Sequence, residues 1–375
     1  MHMATTKFFS ALVLHFCLLL ALSSAWGGAH HLPGTCKIDS VYQLGDSISD
    51  TGNLNQEYPS SPCARLPYGE MFNHTATGRC SNGLLVIDYI ARSLGLPLLD
   101  AYKNPNATFG RGRGVNFAVS GSTALPVDVL AKKKINSPFT NSSLDVQLDW
   151  MFSYFNSISF NNTDLAEKVK NALFIVGEIG GNDYDFALFQ NKTLKEVKDM
   201  VPEVVQAITD AVTRVIGYGA RHIIVPGNFP LGCMPYYLTK FQTSNMDAYD
   251  EFHCLKEFND FSNYHNDHLK QAIKDLKEMN ENINIVYGDY YGPYEWLLTH
   301  AASNCLDTKS LLKACCGVGG NYDYSPTRSC GNPGVPVCAN PDQFMSWDGV
   351  HPTQKVYKHI AFSLIEDIFP RLCSS

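Results

Sequence analysis

The sequence predicts an α/β fold built on one open, mainly parallel sheet. Two observations carry this. Five short apolar runs suited to buried strands recur at residues 41–44, 114–121, 172–176, 221–227 and 284–287. Segments of helical periodicity separate them, and that alternation belongs to strands joined by crossover helices. A third observation locates the site. Three runs lead into Gly45-Asp46-Ser47, Ser120-Gly121-Ser122 and Gly180-Gly181-Asn182-Asp183. Such turns leave the carboxyl edge of a sheet, where open α/β folds place their chemistry.

The elements follow in order. After the first strand, Asp50-Thr51-Gly52-Asn53 has the pattern of a capped turn opening a short helix, with Asp46 and Asp50 accepting N–H bonds around tight turns. Residues 55–79 are polar and broken by proline, hence a surface loop. Leu84, Leu85, Ile87, Ile90, Ala91 and Leu94 recur at helical spacing, with Ser81 or Asn82 as the expected cap and Gly95 and Pro97 as the stop. The glycine-rich stretch 109–114 has no Gly-Lys-Ser/Thr and is read as a turn feeding the second strand. Leu144, Leu148, Met151, Phe152 and Phe155 form one helical stripe, read as core packing.

Beyond the third strand, a helix is expected over 194–216, with Pro202 in its first turns or starting a new segment. His222 opens the fourth strand and is read as structural. A long helix over 252–279 carries His265 and His268, both read as surface residues without metal-ligand spacing. Asp289, Tyr290 and Tyr291 follow the fifth strand and are expected to line the pocket. A last helix is expected over 353–369.

The chain ends suggest a destination. Lys7 precedes an apolar run over residues 8–22, and Ser23-Ser24-Ala25 offers cleavage after Ala25. This reads as a secretory signal peptide, with a signal anchor as the competing reading. Residues 26–375 then form one domain, with no linker or repeat dividing it. Of 29 basic residues the segment removes one, leaving 28 against 36 acidic residues, a net charge of −8. That is no nucleic-acid footprint, and no second membrane span is seen; a soluble monomer is expected. Cys17 leaves with the signal, so 11 of 12 cysteines remain. In an oxidising compartment these read as disulfides, with at least one thiol left over and the connectivity open. The Cys-rich stretch 301–341 needs such staples. A zinc site there is disfavoured by the absence of Cys-x-x-Cys spacing. Five Asn-x-Ser/Thr sequons, at Asn73, Asn106, Asn141, Asn161 and Asn191, point to a glycoprotein.

The chemistry starts at Ser47. A serine on a tight turn exposes its hydroxyl but needs a base, and the base needs an orienting group. Asp348-Gly349-Val350-His351 supplies both, since residues three apart on one turn can face each other. Asn182 can offer a side-chain amide to a developing oxyanion, and Gly121 an unobstructed backbone N–H. These four blocks, in this order, resemble the GDSL esterase/lipase family (the SGNH hydrolases), in particular its plant secreted branch. Ile48 stands where the family name has Leu.

The resemblance implies a three-layer α/β/α sandwich with a five-stranded, flavodoxin-like parallel sheet. It implies Ser47 as nucleophile and first oxyanion donor, Gly121 and Asn182 as second and third donors, and Asp348 and His351 completing the triad. It also implies a small-molecule ester substrate, in plants an acylated specialised metabolite, and no cofactor or metal. Ser120 and Ser122 depart from the small apolar or glycine residues of similar enzymes, which is expected to alter the acyl pocket. No long apolar lid segment is seen, which favours small esters over triglycerides. Acyl transfer to an alcohol would use the same residues. A non-catalytic secreted binding protein would be expected to have lost the triad.

Overall fold

The computed structural model describes residues 37–109 and 112–373. The expected signal segment and Cys36 lie outside the described residues. Five strands, β1 (Ser40–Leu44), β2 (Gly114–Asn116), β3 (Ala172–Val176), β4 (His222–Pro226) and β5 (Asn284–Gly288), form one sheet. Its order is β2-β1-β3-β4-β5 and every pairing is parallel. β1 and β3 are buried along their whole length, as the apolar runs require when helices cover both faces. Seven helices matter for the site: α1 (Asn53–Glu57), α2 (Val86–Ser93), α3 (Leu144–Ile158), α4 (Gly181–Phe189), α5 (Val201–Gly217), α6 (Lys256–Met279) and α7 (Gln354–Cys373). α2 packs with α7, while α3 and α6 both pack on α5, and helices lie on both sides of the sheet. This is the flavodoxin-like three-layer α/β/α sandwich. Its strand order reverses direction between β1 and β3, and the crevice at that switch point is where such sheets bind ligands.

Several local expectations change. The regular part of β2 stops at Asn116, although Phe117 N and Val119 N still donate to Gln43 O (2.8 Å) and Gly45 O (3.1 Å). Neither Ser81 nor Asn82 caps α2. Asp88 reaches back to Leu85 N at 2.9 Å, and Arg79 grips the same carboxylate through Nε and Nη2. On α3, Phe152 is exposed and Gln147 is buried in its stead. Pro202 starts a new segment: a short helix, Leu194–Lys198, precedes α5, in which Pro202 occupies the first turn. His265 is the clearest reversal. It is fully buried on α6, with Nδ1 bonded to Tyr184 Oη at 2.7 Å, and burial drives its pKa down to about 3. The polar face of α6 is broken at this position by a contact with α4 that sequence spacing cannot register. His268 is partly exposed, as expected.

Four disulfides join Cys63 to Cys80, Cys233 to Cys254, Cys315 to Cys338 and Cys316 to Cys330. Cys305 is disulfide-bonded as well. No described cysteine is free, and the odd thiol expected from the count falls outside the described side chains. The Cys63–Cys80 and Cys316–Cys330 bridges pack with Tyr68 and Trp347 in a small second core, directly beneath the 348–351 turn. No described helix is long and apolar enough to cross a membrane.

Candidate active site

Ser47 sits half-buried on the turn after β1. The turn is held by its neighbours. Asp46 O accepts from Ser49 N and Asp50 N, and Asp46 Oδ1 accepts from Ile48 N at 2.9 Å. Asp50 caps α1 by accepting from Gly52, Asn53 and Leu54 N–H groups, then crosses to Ser120 N at 2.8 Å. Both acids therefore do the local work expected of them, and Asp50 also ties the β1 turn to the loop after β2. Asn53 Nδ2 strengthens that tie by donating to Asn116 O and Ala118 O, each at 2.8 Å.

Asp348 and His351 face each other across one turn, with His351 Nδ1 and Asp348 Oδ2 2.7 Å apart. Asp348 Oδ1 accepts from the backbone N–H groups of Val350 (2.9 Å) and His351 (2.7 Å). Gly349 allows the turn: its φ is 97°, and a Cβ there would lie 2.3 Å from the Tyr324 ring. Burial pushes the Asp348 carboxyl up, but the His351 charge and these N–H donors outweigh it and hold it below the usual carboxylate range. For His351, burial opposes protonation, yet Asp348, Asp46 and Asp185 together raise its pKa above the ordinary histidine value. No hydrogen bond joins Ser47 Oγ to His351 among the described residues. Such bonds are often long in free enzymes and tighten only with substrate.

The three candidate oxyanion donors are placed differently. Neither Ser47 N nor Gly121 N donates a hydrogen bond among the described residues. Gly121 has φ 83°, and an added Cβ would meet Phe139 Cβ at 2.7 Å. Asn182, in the first turn of α4, donates to Ser122 O at 2.9 Å and to Asp46 Oδ2 at 3.1 Å. Those bonds aim the amide at the β1 turn. Asp183 clamps the Gly121 loop to α4 by accepting from Ala124 N (2.8 Å) and Leu125 N (2.9 Å), and burial pushes its pKa up to about 7.

Asp46, Ser47, Glu178, Asn182, Asp185, Asn228, Phe229 and His351 share one narrow cleft of about 50 Å³ with Ile48, Gly181, Leu231, Met234, Tyr236 and Val350. A larger concavity of about 380 Å³, lined by residues such as Met246, Tyr249 and Leu311, contains none of the candidate groups; chemistry, not size, marks the site. Gly121 is not among the residues that line the cleft. Ser120 and Ser122 do not line the cleft: Ser120 Oγ bonds Asp50, and Ser122 Oγ accepts from Gln147. Asp289, Tyr290 and Tyr291 are also absent from it. Tyr290 is buried behind Phe229, their ring centroids 5.3 Å apart, because the segment after β4 covers the end of β5. Glu178 and Asp46 are buried side by side and cannot both ionise; burial and the Asp46 charge drive the Glu178 pKa well up.

Sequence reading missed three supporting groups. Tyr68 Oη donates to Asp348 Oδ2 at 2.8 Å, so the Tyr68-Gly69-Glu70 block reaches the candidate acid. Gln147 brackets Gly45, accepting from its N–H at 2.9 Å and donating to its C=O at 2.8 Å. Asn228 lines the cleft with a side-chain amide that has no partner among the described residues.

The GDSL-like lipase/acylhydrolase family matches residues 41–364, and the chain belongs to that family. It is a carboxylic ester hydrolase. Among similar proteins, acetylajmalan esterase 1 of Rauvolfia serpentina is 42% identical over 343 residues, 90% of this chain and 89% of that protein. Acetylajmalan esterase 2 of the same plant is 43% identical over 344 residues, 90% and 93% of the two chains. A GDSL esterase/lipase of Arabidopsis thaliana is 43% identical over 334 residues, 87% and 82% of the two chains.

Proposed function

We propose that this protein is a secreted serine esterase that cleaves small acylated plant metabolites through an acyl-Ser47 intermediate. The observation that carries the reading is the His351–Asp348 couple, 2.7 Å apart, opening onto the same cleft as Ser47 and Asn182. His351 removes the Ser47 proton as Oγ attacks the ester carbonyl. The oxyanion is received by the Ser47 and Gly121 N–H groups and the Asn182 amide. Protonated His351, held by Asp348, then delivers its proton to the leaving alcohol. Water activated by neutral His351 attacks the acyl carbonyl, and the acid departs as Ser47 regains its proton.

A narrow cleft suits a small acyl group, and the acetylajmalan esterases are relatives named for an acetyl ester. The remaining parts of the reading are a signal cleaved after Ala25, a single domain over 26–375, N-glycans on the five sequons and a monomeric enzyme. All five sequon asparagines are exposed, which supports the glycans. Hydrolysis is preferred to transfer because no acceptor-binding motif accompanies the triad.

The test is Ser47→Ala in the purified secreted protein, with a serine-directed phosphonate on the parent. The variant loses nearly all ester cleavage while keeping its fold, and the phosphonate mass appears on the peptide containing Ser47. Label on a different serine, with Ser47 unmodified, sinks the assignment. Donor turnover that requires one particular alcohol would replace hydrolysis by transfer.

A further inference from the structure

The cleft is acidic and under-satisfied. Its lining includes three carboxyl groups, Asp46, Glu178 and Asp185, and neither lysine nor arginine. Asp185 is the accessible one, half-buried, with Oδ1 held by Tyr237 Oη at 2.7 Å and Oδ2 by Tyr236 Oη at 2.8 Å. Burial pushes its pKa up to about 6, against those two hydroxyls and the His351 charge, which favour the carboxylate.

Asn228 adds an independent observation. Its backbone is secured on both sides by Asn266, which accepts from Asn228 N at 2.8 Å and donates to Asn228 O at 3.0 Å. The residue is only 1% exposed, yet among the described residues neither Oδ1 nor Nδ2 has a hydrogen-bond partner, and Glu178 Oε1 is equally unpartnered. A buried polar group left unpaired costs about 1–3 kcal/mol, and native proteins leave few. A fixed backbone with an idle amide facing a cleft is what a ligand-binding position looks like before the ligand arrives.

We propose that the Asp185–Asn228 wall of this cleft recognises a protonated amine in the substrate. The inference rests on the esterase reading and names the substrate class. An ammonium N–H supplies a donor for Asn228 Oδ1 or Glu178 Oε1, both without a partner among the described residues. Its charge meets the Asp185 carboxylate where burial weakens screening, beside the faces of Phe229 and Tyr236. A neutral hydroxyl would satisfy an acceptor but leave the charge unmet, and an anionic substrate would be repelled by the Asp185 carboxylate.

The test uses two acetates of one shape, 2-(dimethylamino)ethyl acetate, protonated at pH 7, and 3-methylbutyl acetate, with carbon in place of nitrogen. The kcat/KM of each is divided by its rate with hydroxide to remove intrinsic reactivity. The parent enzyme favours the amine by about tenfold or more, a single charge contact's worth of binding. Asp185→Asn lowers that preference at least fivefold, and Asn228→Leu lowers it as well. Taking the ratio cancels any loss of active protein. A parent ratio near one, or a ratio unchanged in Asp185→Asn, overturns the inference while leaving the esterase reading intact. Failure to cleave either acetate counts against the esterase reading and removes the inference with it.

Discussion

Gln147→Met tests how the β1 turn is held in place. Gln147 is fully buried on α3. Its amide makes three good hydrogen bonds: from Gly45 N at 2.9 Å, to Gly45 O at 2.8 Å and to Ser122 Oγ at 3.0 Å. Methionine keeps the length and most of the volume but makes none of them. Gly45 O retains Val119 N as a partner, so losing that bond costs only its net worth, about 0.5–1.5 kcal/mol, as does losing the bond to Ser122. Gly45 N has no other acceptor among the described residues, and a buried orphaned donor costs about 1–3 kcal/mol. The expected destabilisation is therefore about 2–6 kcal/mol. Because Gly45 is two residues from Ser47, kcat should also fall, by up to about a hundredfold for a displacement near 1 Å. Urea unfolding of the purified protein, paired with kcat on a neutral acetate, measures both. A variant within about 0.5 kcal/mol of the parent, the usual scale for surface substitutions, with unchanged kcat would refute the idea that Gln147 positions the turn.

Asn182→Ala is expected to lower kcat by about 10²–10³, the cost of one oxyanion donor; a rise in KM alone would show that Asn182 binds substrate without serving the transition state. The acid limb of kcat/KM should lie above the free histidine value of about 6.5. His351 acts only when neutral, and Asp348, Asp46 and Asp185 raise its pKa, keeping it protonated to higher pH. Asp348→Asn removes the largest of those attractions, so its residual activity should show the limb moved to lower pH; a limb that stays put would separate His351 from Asp348. The secreted protein should begin near Trp26 and lose mass on treatment with an N-glycosidase, and an active enzyme with its N-terminus intact and no glycan would contradict the processing scheme.

The chain by itself determined the strands and the chemistry that leaves them. The runs that became β1, β3, β4 and β5 carry apolar residues on both faces, a pattern readable without contacts because parallel strands covered by helices bury both. Asp348 and His351 were legible for a similar reason: three residues on one turn is a local geometry. Local, too, were the Asp46 and Asp50 turns.

Tertiary structure alone decided whatever depends on which side chains meet across elements. His265 read as a surface residue because its helix is polar around it, and only the packing of α6 against Tyr184 buried it. Gln147 carried no signal in the helical stripe, and only α3 laid beside the β1 turn shows one amide answering both backbone groups of Gly45. Tyr290 was assigned to the pocket by its place after β5, but the segment after β4 crosses in front of it and brings Asn228 and Phe229 to the cleft. Burial and hydrogen-bond satisfaction are properties of pairs far apart in the chain, and sequence spacing records only pairs that are near.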